Sequence, residues 1–146
     1  MKKIVSGIAI LACYLIVTST AFAHCEIPCG IYDDKMRITM IAEHVTTIEK
    51  SMSKIMEIEK AGGNSNQLVR WVMNKEEHAS QLQEIVTQYF MTQRIKTNTD
   101  KYPEKLSLLH QMLLVSMQAK QTTDLEKVTE LRSLLADFEK LYFAPH

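Results

Sequence analysis

From Met36 onward the apolar side chains recur at intervals of three and four residues, and polar stretches break the pattern three times. Met36, Met40, Ile41, Ile48, Met52, Ile55 and Met56 fall largely on that spacing, which predicts a helix running to about Lys60. Asp33 and Asp34 sit at its start, where carboxylates complement the helix dipole and can cap free N–H groups. Ala61-Gly62-Gly63-Asn64-Ser65-Asn66 ends it. A second helix, from about Gln67 to Met91, has Leu68, Val72, Ala79, Leu82, Ile85, Val86, Tyr89 and Phe90 on its buried side. A polar connection follows, Arg94 to Lys101. Pro103 then fits a first helical turn, and Leu106, Leu109, Leu113 and Met117 mark a third helix. Thr123-Asp124-Leu125-Glu126 reads as a capping box. It opens a fourth helix striped by Leu125, Val128, Leu131, Leu135, Phe138 and Leu141. Four amphipathic helices with short or moderate connections predict an all-α fold, an antiparallel four-helix bundle.

Residues 1–23 break from this pattern. They have a basic start, an apolar run from Ile4 to Val17 and small residues up to Ala23, which together read as a signal peptide that is removed. The apolar run is short for a membrane span, and nothing later approaches the roughly 20 apolar residues a spanning helix needs. Ile10-Leu11-Ala12-Cys13 resembles a lipoprotein cleavage box only faintly, because Leu11 stands where a smaller residue is usual. The mature domain is therefore expected to be residues 24–146, exported to the periplasm or outside the cell, with no membrane association after processing. It carries 15 basic against 17 acidic residues and no basic block, which argues against a nucleic-acid partner. Four glycines and three prolines leave little material for an all-β fold with many tight turns.

Cleavage after Ala23 changes the chemistry of the new chain end. His24 becomes the first residue of His24-Cys25-Glu26-Ile27-Pro28-Cys29-Gly30-Ile31-Tyr32, so an α-amine, an imidazole and two thiols fall within six residues. Two cysteines in an exported protein can also pair as a disulfide. That bond would close only the tiny loop from Cys25 to Cys29 and could do little to staple the domain. As ligands the same groups make more sense. The amine, the backbone nitrogen of Cys25 and two thiolates can surround one metal. Such N and S donors favour a square-planar Ni(II) or Cu(II) ion over tetrahedral zinc. The His24 imidazole can approach as a fifth ligand, while Pro28 restricts the chain and Gly30 tolerates unusual backbone angles. Thiolate and amidate donors lower the potential of a nickel couple, which points to redox catalysis on a small one-electron substrate such as superoxide. His44, His78 and His110 lie on separate helices without metal-binding spacing and predict no di-iron or zinc constellation. The eight methionines of the mature chain read as core filler.

His-Cys-x-x-Pro-Cys-Gly-x-Tyr at a processed N-terminus resembles the nickel hook of nickel-containing superoxide dismutases. Lys101-Tyr102-Pro103-Glu104 is similar to a segment that opens the third helix of that family. The resemblance implies a nickel ion bound by His24, Cys25 and Cys29, with His24 and Tyr32 as the catalytic residues. Tyr32 would guide superoxide to the open face and exclude larger anions. It also implies disproportionation of superoxide to dioxygen and hydrogen peroxide through Ni(III) and Ni(II), in a homohexamer. The chain departs from the family at Glu26, where aspartate is common. It departs again at two positions expected to bracket the imidazole: Thr39 replaces a glutamate, with no acid until Glu43, and His78 replaces an arginine. Groups that hold a ligating histidine set its orientation and basicity. His78 is accordingly expected to hydrogen-bond toward the His24 ring. The alternative reading is a non-catalytic exported protein that binds nickel or copper.

Overall fold

The structure is a computed structural model whose described residues are 28 and 30–144. They contain four α-helices, and the all-α bundle expected from the periodicity is what forms. α1 is Asp34–Lys60, α2 is Ser65–Glu84, α3 is Tyr102–Gln121 and α4 is Glu126–Tyr142. A π-helical segment, Ile85–Arg94, continues α2. Each helix packs on two neighbours, α1 on α2 and α4, and α3 on α2 and α4. Residues 33–146 form one compact unit, and residues 1–32 belong to another.

The helix ends follow local chemistry. The Asp33 carboxylate accepts from the backbone N–H of Met36 at 2.9 Å and starts α1. Gly63 lies beyond the end of α1, where a Cβ would stand 2.7 Å from Ile58 Cγ2 and 2.8 Å from its carbonyl, so close approach requires glycine. Asn64 then caps α2 by accepting from Asn66 and Gln67. Pro103 occupies the first turn of α3, as its fixed φ predicts. At α4 the expected capping box is replaced. The Asp124 carboxylate accepts from the Glu126 N–H at 2.9 Å, and Thr122 accepts from the Asp124 N–H at 3.1 Å.

The core runs through Ile38, Ile41, Val45, Ile48 and Met52 of α1 and meets Ala79, Leu82, Val86 and Phe90 from the second element. Leu109 and Met112 of α3 and Val128, Leu131, Leu135 and Phe138 of α4 complete it. Several residues expected in this core are exposed: Met36, Met56, Val72, Met117 and Leu125. Length explains Val72 and Met56. At 27 residues α1 is about 40 Å long, and α4 at 17 residues is about 26 Å, so the α1–α2 pair overruns its neighbours. Val72 lies one turn beyond Lys75, which stands level with the last carbonyls of α3. On α3, apolar residues surround most of the helix, and Lys105, Leu109, Met112, Val115, Ser116 and Ala119 are the positions that pack inward. Small Ser116 and Ala119 admit close neighbours, leaving Met117 outside. Met52 and Met112 are core and Met40 and Met91 pack against it, but Met36, Met56, Met73 and Met117 are exposed.

Lys75 is buried and still satisfied. Its ammonium donates to the carbonyls of Ala119 and Thr122 at 3.0 Å and also to Lys120. These are the carbonyls that a helix end leaves without an intrahelical donor, so a side chain of α2 caps α3. Burial lowers the Lys75 pKa, against the opposing pull of Glu76.

Candidate metal centre

Of the expected ligands, His24, Cys25 and Cys29 lie outside the described residues. The described part of the hook is a tight turn followed by Tyr32. The Ile31 N–H donates to the Pro28 carbonyl at 2.7 Å. Gly30 occupies the third position of that turn with φ +77°, in the left-handed region that L side chains resist. A Cβ there would meet nothing within 4 Å, so the demand for glycine is conformational. Tyr32 is 40% exposed and directly precedes the cap of α1.

Two residues after Tyr32, Asp34 gathers four hydrogen bonds. Its Oδ1 accepts from the Tyr89 hydroxyl at 2.6 Å and from Arg94 Nε at 2.8 Å. Its Oδ2 accepts from Arg94 Nη2 and from the Tyr142 hydroxyl, both at 2.8 Å. The cluster depends on the π segment. Residues five apart point roughly 140° away from each other on an α-helix. On a π-helix, whose hydrogen bonds span five residues, they return to one face. The wider turn is visible in Ile95 N–H donating to Phe90 at 2.8 Å and Thr92 Oγ1 donating to Thr87 at 2.8 Å. Tyr89 and Arg94 therefore reach the same carboxylate. Below them Phe90 packs edge-on against Phe138 and Tyr142, with ring centroids 5.0 and 5.5 Å apart. Arg37 lies over the Tyr89 ring at 4.9 Å.

Electrostatically this cluster is locked. Burial works against the charged Asp34, but the bonds from Arg94, Tyr89 and Tyr142 outweigh it and the carboxyl pKa falls. Burial and the Asp34 contact raise the Tyr89 phenol and push Tyr142 up to about 12. The Arg94 guanidinium is held charged chiefly by its bond to Asp34. None of these groups exchanges a proton near neutral pH, so the cluster orders structure and performs no acid–base work.

The expected contact of His78 with the His24 ring lies outside the described residues. Thr39 is exposed, and its hydroxyl donates to the Lys35 carbonyl of its own helix at 3.1 Å. His78 meets His44 of α1, with the two Nδ1 atoms 2.9 Å apart and both rings half-buried. His44 and His78 thus meet across two helices, while His110 is exposed elsewhere. Spacing along one helix gave no sign of it, because the contact crosses between helices. Burial, and then the charge of His78, lowers the His44 pKa against a smaller opposite pull from Glu43. Among the described residues no group of three or more His, Cys, Asp or Glu side chains is placed to hold a metal.

The Asp34 cluster was also missed from sequence. Asp34 was legible as a helix-start acid, but Arg94 read as part of a loop, and no 3.6-residue periodicity announces a π turn.

Residues 19–145 match the family model for nickel-containing superoxide dismutase, and the chain belongs to that family. No curated protein and no solved structure gives a significant match.

Proposed function

Starting from that membership, we propose that the mature chain begins at His24 and disproportionates superoxide. Two superoxide anions and two protons give dioxygen and hydrogen peroxide. The α-amine, the imidazole of His24, the backbone nitrogen of Cys25 and the thiolates of Cys25 and Cys29 would hold the nickel. This donor set fits the metal, since strong N and S donors suit a square-planar ion and lower its oxidising power. Bound there, nickel would supply the one-electron Ni(III)/Ni(II) couple that disproportionation needs. The protein residues have separate tasks. Removal of residues 1–23 frees the amine, and the Pro28–Ile31 turn reverses the chain. Tyr32 guides superoxide and restricts larger anions.

The observation that carries this reading is the family match together with an intact His24, Cys25 and Cys29. N-terminal sequencing, metal analysis and a dismutation assay on one exported sample test it. The expected result is a chain starting at His24, nickel in equal amount to protein, and activity. A form retaining methionine ahead of His24 should lose activity, and full activity in that form would remove the amine from the ligand set. The engagement of Thr39 and His78 within the bundle favours a second outcome as well, nickel bound without dismutation, which would establish a storage or delivery role.

Export to the periplasm or beyond rests on the signal peptide; among the described residues no helix is long and apolar enough to cross a membrane. A homohexamer rests on the family resemblance, and exposed Met56, Val69, Val72 and Met73 offer apolar surface that self-association would cover. Sedimentation of the nickel-loaded protein measures the assembly.

A further inference from the structure

The His44–His78 contact joins two metal-ligating side chains that the proposed hook chemistry leaves unused. The Nδ1 atoms are 2.9 Å apart, the ring centroids 5.1 Å apart and the planes tilted by 55°. Without a cation, one Nδ1–H donates to the lone pair of the other ring. We propose that the same pair is a binding site for a divalent transition-metal ion, Cu(II) or Ni(II), made by residues other than the three hook ligands.

The argument begins with the spacing. A metal–imidazole bond is about 2.0–2.1 Å, so two such bonds at a right angle place their nitrogens about 2.9 Å apart. Tetrahedral coordination needs about 3.4 Å between them. The nitrogens already stand at the edge length of a square-planar or octahedral site. Both rings must also turn so that their lone pairs meet at a common point, an adjustment of χ1 and of the broad χ2 torsion of histidine. The bridging proton then passes to Nε2 of its own ring, so a neutral pair binds the metal without net proton release. Burial favours the neutral form of His44 and keeps lone pairs available.

The surroundings suit a cation. Glu43 and Glu77 each precede one of the histidines and add negative charge on both helices. Gln81 Nε2 donates to the Glu77 carboxylate at 2.6 Å and steadies it. Two protein ligands leave the remaining positions to water, which makes the site an exchangeable one and not a closed structural cage.

The test uses the full mature chain carrying His24→Ala, Cys25→Ser and Cys29→Ser, titrated separately with Cu(II), Ni(II) and Zn(II). Residual binding by the terminal amine is common to every variant of that background, so added His44→Gln or His78→Gln isolates the pair. One copper equivalent per chain, with nitrogen hyperfine structure in its electron paramagnetic resonance spectrum, is expected to weaken at least 10-fold in either variant. Nickel should bind there no more weakly than zinc. Copper stoichiometry and spectra unchanged by both substitutions would overturn the site. Zinc binding tighter than nickel would overturn its geometry. Should a substitution unfold the bundle, paramagnetic broadening of the His44 and His78 ring signals in the background protein decides the matter. Rings left sharp by an equivalent of copper would sink the proposal.

Discussion

The hook of residues 24–32 and the Asp34 cluster are two residues apart at their nearest approach along the chain, and they use polar atoms in opposite ways. The hook sequence offers groups whose value would lie in open lone pairs: an imidazole, two thiols and, after the proposed cleavage, an amine. The Asp34 cluster gathers donors and acceptors that consume one another, with each carboxylate oxygen accepting two bonds. The proposed chemistry of the first set needs those lone pairs left open. The other is inert because everything in it is satisfied, and its cost of burial is offset in place. A saturated polar cluster therefore marks architecture, while unsaturated ligands mark chemistry.

The sharpest way to break this contrast is to remove chemistry from the hook and look for a loss of fold. Cys25→Ser and Cys29→Ser should each lower dismutation by more than about 100-fold, beyond what loss of a supporting group costs a metal site. Unfolding free energy from urea titration should move by less than about 0.5 kcal/mol, as at sites without a structural role. A large loss of stability in either variant would make the cysteines structural and erase the distinction.

The converse experiment acts on Asp34. Asp34→Ala leaves Arg94, Tyr89 and Tyr142 with no shared acceptor in a half-buried setting. The expected loss is about 2–3 kcal/mol of stability, from breaking a partly buried charge pair and its hydrogen bonds. Asp34→Asn keeps the shape and should lose less. Urea denaturation measures both, and a loss under about 0.5 kcal/mol for Asp34→Ala would mean that the cluster merely decorates the helix end.

These two regions also show what the sequence made legible. Candidate ligands stand out in the hook sequence because metal chemistry depends on residue type, and their placement lies outside the described residues. α1, α3 and α4 were readable because 3.6-residue periodicity and caps are local signals. The Asp34 cluster was not, since it needs residues 34, 89, 94 and 142 and a π turn that shifts helical phase. The His44–His78 contact was hidden for the same reason. Val72 misled because its apolar character says nothing of where the neighbouring helices end. The burial of Lys75 was equally hidden, since the carbonyls it caps belong to another helix.

A smaller effect sharpens the contrast within the hook itself. Gly30→Ala keeps every ligand but forces a Cβ residue into φ +77°, at a cost of about 1–2 kcal/mol. Paid locally, that amounts to roughly 10-fold weaker nickel binding with bundle stability unchanged. Competition with a chelator measures the first quantity and urea the second. Equal metal affinity in the variant would mean that the turn is dispensable to the site.

The smallest expected effect concerns pH and separates the histidine pair from the Asp34 cluster. The folded-state pKa of His44 lies below its ordinary value of 6.5, chiefly because of burial. The unfolded chain then binds more protons than the folded one between the two values. The contribution of His44 is complete above about pH 6.5 and declines as pH falls through the folded pKa. For Asp34 the folded pKa lies below 3.8, so its contribution is complete above that value and is lost only in stronger acid. Two separate declines are expected: a shallow one beginning near pH 6.5, under about 1 kcal/mol for a half-exposed pair, and a steeper one below about pH 4. His44→Gln should flatten the first and spare the second, while Asp34→Asn should do the reverse. Urea titrations from pH 7.5 to 3 separate them. A first decline that persists in His44→Gln would assign it to other groups and leave the pair electrostatically silent.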